Sequence, residues 1–97
     1  MFEIRYTVEA VEDLKLYRKH ERQLIVDRID EQLLQEPALE TRNRKRLRPN
    51  RVAEYELRIT KFRVFYDIDE NNKVVKIEAI GHKEGSSLFI GGKEFQL

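Results

Sequence analysis

ELRITKFRVFYDID, residues 56–69, decides the fold. Read with a period of two, Leu57 and Ile59 share a face with Phe62, Val64, Tyr66 and Ile68. The other face carries Glu56, Arg58, Arg63 and Phe65. That alternation predicts two strands of a hairpin, each with one buried side. With Thr60-Lys61 at the tip, Ile59 pairs with Phe62 and Arg58 lies opposite Arg63. Like charges directly across a strand pair are destabilising. A phosphate between the two guanidinium groups would reverse the sign of that interaction. Thr60-Lys61 is poor chemistry for a two-residue turn, so a longer loop is expected there.

Working outward, FEIRYT alternates Phe2, Ile4 and Tyr6 against Glu3 and Arg5 and predicts a strand over 2–6. Thr7 suits a helix N-cap, followed by Glu9, Glu12 and Asp13 near the positive helix end. Ala10, Val11, Leu14 and Tyr17 form the apolar stripe of a helix near 8–19, and RKHERQ holds a bend. Ile25, Ile29 and Leu33 mark a second helix near 22–36, which Pro37 stops. ALETRNRKRLRPNR reads as a loop, with Leu39 and Leu47 tying it down. Further strands are predicted over 53–60, 62–69 and 74–81, with an Asn71-Asn72 turn before the last. SSLFIGGKEFQL, residues 86–97, reads as a short hairpin about Gly91-Gly92, packed on the body or receiving a partner.

The order β-α-α-β-β-β plus a tail predicts one α+β domain over 1–97. A two-helix hairpin packs on one face of a small, mostly antiparallel twisted sheet. Leu14, Ile25, Ile29, Leu33, Leu57, Val64, Tyr66 and Ile77 are expected to be largely buried, and Ala79 to face the helices too. Glu56, Arg58, Arg63, Phe65, Glu78, Ile80 and His82 are expected on the opposite, uncovered face.

With 40% hydrophobic and 38% charged residues the chain is globular rather than disordered. It has no cysteine, which excludes disulfides and thiolate metal sites, and its two histidines have no ligand spacing. MFEIRY carries charges where an apolar leader would need none, and no apolar run reaches membrane-spanning length. A cytoplasmic protein without membrane contact is the expectation. The net charge of +1 conceals an asymmetry. Residues 42–63 hold nine Lys/Arg against two acids, or +7, which leaves −6 for the rest. A basic block on an acidic body points to a polyanion partner.

EYELRITKFRVFYDID followed by VVKIEAIGHKEGSSLF resembles the core of the RelE/ParE superfamily of bacterial toxin–antitoxin toxins. The shared pattern is a strand ending Leu-Arg, a turn, an aromatic-Arg-Val-x-Tyr segment, a strand ending Gly-His or Gly-Lys with a basic residue next, and a late aromatic. The likeness runs from the helix hairpin to about Phe89. It implies a compact toxin neutralised by a small antitoxin. RelE-like members cut mRNA, mostly in the ribosomal A site, whereas ParE-like members inhibit DNA gyrase. It also implies a phosphate-binding role for Arg63 and basic site positions at Arg58 and Lys83. The RelE type carries lysine where Glu56 stands and a late tyrosine where Phe89 stands. Other branches use a last-strand histidine or a glutamate base, roles open to His82 and Glu56.

The reading that results is a ribosome-dependent mRNA endoribonuclease needing no metal or cofactor. Arg58 and Arg63 form a phosphate clamp, with His82 as acid, Glu56 as base and Lys83 as a further catalytic cation. Arg44, Lys45, Arg46, Arg48, Arg51 and Lys61 are expected to bind RNA, and Phe65 and Phe89 to stack on bases. The expected partners are a cognate antitoxin, the ribosome and mRNA, with DNA met only through the antitoxin. Gyrase inhibition without catalysis, or RNA binding with degraded chemistry, are the alternatives.

Overall fold

Thr7 starts the first helix as its side chain predicts: Thr7 Oγ1 accepts from Ala10 N at 3.0 Å. In the computed structural model, which describes residues 1–97, that helix is α1 (Val8–Leu14), preceded by strand β1 (Glu3–Tyr6). Helix α2 (Lys19–Leu33) begins earlier than the polar RKHERQ run suggests. Glu21, at the third helical position, accepts from Arg18 N at 3.0 Å, which satisfies a free amide of the helix start. The bend therefore falls at residues 15–18 and takes in only Arg18, the first residue of that polar run.

Six more strands follow: β2 (Arg44–Arg46), β3 (Tyr55–Ile59), β4 (Phe62–Asp69), β5 (Val74–Glu84), β6 (Ser87–Ile90) and β7 (Lys93–Phe95). They pair in the order β2-β3-β4-β5-β6-β7, all antiparallel, and β1 adds alongside β5 in parallel. The expected α+β architecture is present, and the sheet is longer than expected at both edges. Strand β2 forms inside the basic segment read as a loop. The tail is the expected hairpin, and Gly91 (φ 61°) and Gly92 (φ 79°) supply the two positive φ values of its tight turn. The β3–β4 turn is the two-residue form, with Ile59 against Phe62 and Thr60 at φ 50°.

The helices cover a core of Ile25, Ile29, Leu33, Leu57, Val64, Tyr66, Val75, Ile77 and Ile80, all buried. Each such side chain contributes about 1.5–3 kcal/mol of burial. Leu14 is only half-buried.

Two features of the far face differ from expectation. First, the β4–β5 register shifts by one residue: Phe65 pairs with Ala79 but Tyr66 with Ile77, so Glu78 is an extra residue on β5. Such a bulge moves every later side chain to the other face. Ile80 and His82 therefore face the helices with Val64 and Phe62, while Ala79, Gly81 and Lys83 face away with Phe65 and Arg63. This reverses the expected sides of Ala79, Ile80 and His82. Second, the far face is not bare. Ala53, Phe65, Ala79, Leu88 and Ile90 form a second small core there, joined by Leu47, Val52 and Phe95 from the preceding loop and the β6–β7 hairpin. Apolar side chains on β6 and β7 close part of the face that the arginines occupy.

Candidate functional site

Strands β3 and β4 set Arg58 directly opposite Arg63, as the alternation predicts. Arg58 is exposed and Arg63 is buried. The Arg63 guanidinium is folded toward the hairpin tip, donating to Thr60 O at 2.8 Å and Phe62 O at 2.9 Å. Burial, and then the charge on Arg58, weaken its hold on its proton relative to ordinary arginine, with Glu56 acting the other way. Arginine starts so far above neutrality that it stays charged. Neither arginine has a carboxylate within ion-pair distance. The two cations thus occupy facing positions of the strand pair, and neither is engaged in an ion pair.

Glu56 lies on the same face, two residues and about 7 Å along the strand from Arg58. It is buried, with Lys45 Nζ on the neighbouring β2 3.9 Å from its carboxylate. Because of the bulge, Lys83 joins this face as well, two residues beyond Gly81, the partner of Arg63. Its Nζ donates to Ser86 O at 3.3 Å. Beside these groups opens a cleft of about 460 Å³ between the 45–50 segment and the β6–β7 hairpin. Lys45, Arg48, Glu56, Lys83, Leu88 and Phe95 are among its lining residues.

His82 is not part of this assembly. It sits on the helix face, with Nδ1 2.7 Å from Tyr17 Oη and Nε2 2.8 Å from a Glu84 carboxylate oxygen. Burial pushes the Tyr17 hydroxyl up to about 12, with Asp13, Glu21 and Glu84 adding to the shift. Tyr17 thus keeps its proton, and the imidazole is held between its hydroxyl and the Glu84 carboxylate. The imidazole also stacks on Phe89. These contacts tie the α1–α2 turn to the end of β5.

The predicted RNA-binding residues divide. Arg44 is buried and points at α2, donating to Gln32 O and Glu36 O at 2.8 Å each. It caps the Gln32 carbonyl in the last turn of α2, where a cation also suits the helix dipole, and ties down the Glu36 carbonyl just beyond it. Arg46 lies 5.6 Å from the centre of the Tyr55 ring, and Lys61 reaches Glu21 at 3.8 Å on the helix side of the hairpin tip. Lys45, Arg48 and Arg51 remain exposed. Of the two base-stacking candidates, Phe65 is fully buried and Phe89 is covered by His82. Phe95 is the aromatic residue of the cleft, and sequence reasoning missed it. Its only signal was pairing with Leu88, which pairs with Lys83, and that row faces the cleft only once the bulge is known.

No group of acidic or histidine side chains is arranged to hold a metal ion, and no helix is long and apolar enough to cross a membrane. No curated protein matches the chain. Among solved structures, it is similar to the RelBE2 toxin–antitoxin complex of Mycobacterium tuberculosis. There the identity is 26% and the TM-score 0.74, over 84% of this chain and 91% of that one. It shares its fold with the archaeal RelE–RelB complex of Pyrococcus horikoshii, at 22% identity and a TM-score of 0.63 over 78% and 88% of the two chains. Residues 4–86 match the family described as the ParE toxin of the type II toxin–antitoxin system parDE. With that match over most of its length, from β1 to the end of β5, the chain belongs to the ParE toxin family of the RelE/ParE superfamily, the toxins of type II toxin–antitoxin systems.

Proposed function

We propose that this toxin acts as a ribosome-dependent mRNA endoribonuclease, and that Arg58 and Arg63 hold the scissile phosphate. The observation that carries this reading is the pair of facing arginines without an acidic partner, on the face that also holds Glu56 and Lys83. In the proposed step, Glu56 takes the proton of a ribose 2′-hydroxyl and the 2′-oxygen attacks the adjacent phosphorus. The bond to the 5′-oxygen breaks as Lys83 donates a proton to it, leaving a 2′,3′-cyclic phosphate and a 5′-hydroxyl. The arginines neutralise the charge that develops on the non-bridging oxygens. Lys83 takes the acid role first read for His82, which supports the strand from its far side. Lys45, Arg48 and Arg51 supply salt-sensitive phosphate affinity. The relatives in solved complexes carry antitoxins, and we extend that partnership to this chain: an acidic, partly helical antitoxin would cover the basic face.

The test is translation in vitro with purified protein and primer extension on the mRNA. Arg63→Ala is expected to lower cleavage by about 10²–10³-fold, the loss of one transition-state donor. Arg58→Ala is expected to lower cleavage yet hold or raise thermal stability, because it removes a cross-strand repulsion worth up to about 1 kcal/mol. Two observations favour a second reading, inhibition of gyrase by binding alone: neither histidine stands on the clamp face, and the matching family is that of the ParE toxins. Intact mRNA beside blocked DNA supercoiling would replace the first reading with the second.

A further inference from the structure

The cleft beside the clamp has a chemistry of its own. Its cations Lys45, Arg46, Arg48 and Lys83 outnumber its acids Glu56 and Glu94, so an anionic occupant is favoured. One wall is Phe95, half-buried on the second core beside Leu88. Arg48, on the opposite rim, is exposed and makes no ion pair. At about 460 Å³ the cleft is of small-ligand size. Cations around an aromatic wall are the usual equipment for one unstacked base and its phosphates. The hairpin that carries Phe95 lies beyond residues 4–86, the segment matched by the family.

We propose that this cleft is a nucleotide subsite: Phe95 receives the face of one unstacked base of a single-stranded RNA, and Lys45, Arg48 and Lys83 hold the phosphates that flank it. The inference rests on the reading of this face as an RNA-cutting surface. It assigns to the β6–β7 hairpin the seating of the base next to the cut. Glu56 lines the cleft and lies one side-chain step along β3 from Arg58, so a strand seated there continues directly to the clamp.

The test titrates a 2′-O-methylated RNA trinucleotide, which has no attacking hydroxyl, into isotopically labelled protein followed by NMR. A nucleoside monophosphate forms the second arm. Amide shifts are expected in residues 45–48, 83–88 and 94–96, with the trinucleotide binding more tightly than the mononucleotide. Phe95→Leu keeps an apolar side chain on the second core and removes the ring; it is expected to weaken trinucleotide binding roughly 10-fold or more with the melting temperature held. Arg48→Gln is expected to flatten the salt slope by about 0.7, the share of one phosphate contact on a single strand. Shifts confined elsewhere, full affinity in a folded Phe95→Leu protein, or a mononucleotide binding as well as the trinucleotide would each overturn the subsite. The two readings fail separately. Uncut mRNA with a trinucleotide still seated in the cleft removes cleavage and keeps the subsite, and cleavage with an empty cleft does the reverse.

Discussion

Asp13 stands at the end of α1 with its carboxylate buried under the sheet, where Oδ2 accepts from Ile80 N at 3.0 Å. Burial raises its pKa above the usual 3.8, against the opposing pull of that hydrogen bond. The sign of the linkage follows: protonated Asp13 favours the fold at low pH, and that contribution fades as pH rises through the raised value. At neutral pH the fold carries a buried charge. Asp13→Asn keeps an oxygen for Ile80 N and drops the charge. It is expected to melt higher than the wild type at pH 7 and level with it near about pH 3, as measured by thermal unfolding across that range; an Asn variant that melts lower at pH 7 would contradict the assignment. Arg44 teaches a related lesson at the same scale. In the sequence it is one cation in a run of five within RNRKR and LR, all suited to a polyanion. Only the position of the α2 C-terminus reveals that its donors are already taken.

At the level of elements, the core strands were legible because Leu57 to Ile68 alternate cleanly, and the opposed arginines followed from the same alternation. The first turn of α1 was legible through Thr7. Strand β2 was not, because an edge strand reading Arg-Lys-Arg has no apolar period to detect. The bulge at Glu78 was not either: nothing in VVKIEAIGH marks an inserted residue, yet it decides the side on which His82 and Lys83 stand. The turns at Asn71-Asn72 and Gly91-Gly92 lie where the sequence puts them, but the backbone conformation inside the two central hairpins was not legible. The positive φ values in the two central hairpins fall on Thr60 and Lys73, residue types that offer no turn signal. A β-branched residue in the left-handed region is strained by about 1–2 kcal/mol. Thr60→Gly is therefore expected to stabilise the protein by about 1 kcal/mol in chemical denaturation, net of the extra freedom glycine gives the unfolded chain. A loss of stability would show that the Thr60 hydroxyl, which donates to Ile59 O at 2.7 Å, outweighs the strain.

For the molecule as a whole, two half-sites are joined by how closely β5 and β6 approach. A Cβ on Gly81 would lie 2.2 Å from Phe89 O and 2.8 Å from Ile90 Cγ1, with no room to yield on the backbone side. Gly81→Ala is expected to force the strands apart, cost several kcal/mol on the scale of overpacked sites, and expose Leu88, Ile90 and Phe95 to protease and hydrophobic dye. Wild-type stability in that variant would mean that the C-terminal hairpin is not held as described. The central place of β5 also sets a timetable. Glu3 to Tyr6 find their partners only in Val74 to Ile77, and β4 and β6 close on the same strand. Pairing across so much chain is slow to form, and synthesis delivers the N-terminal end first. The arginine hairpin is thus made well before the strand that fixes Lys83 beside it. A nascent chain that ends before residue 83 therefore carries the facing arginines without the lysine that the bulge later turns onto their side.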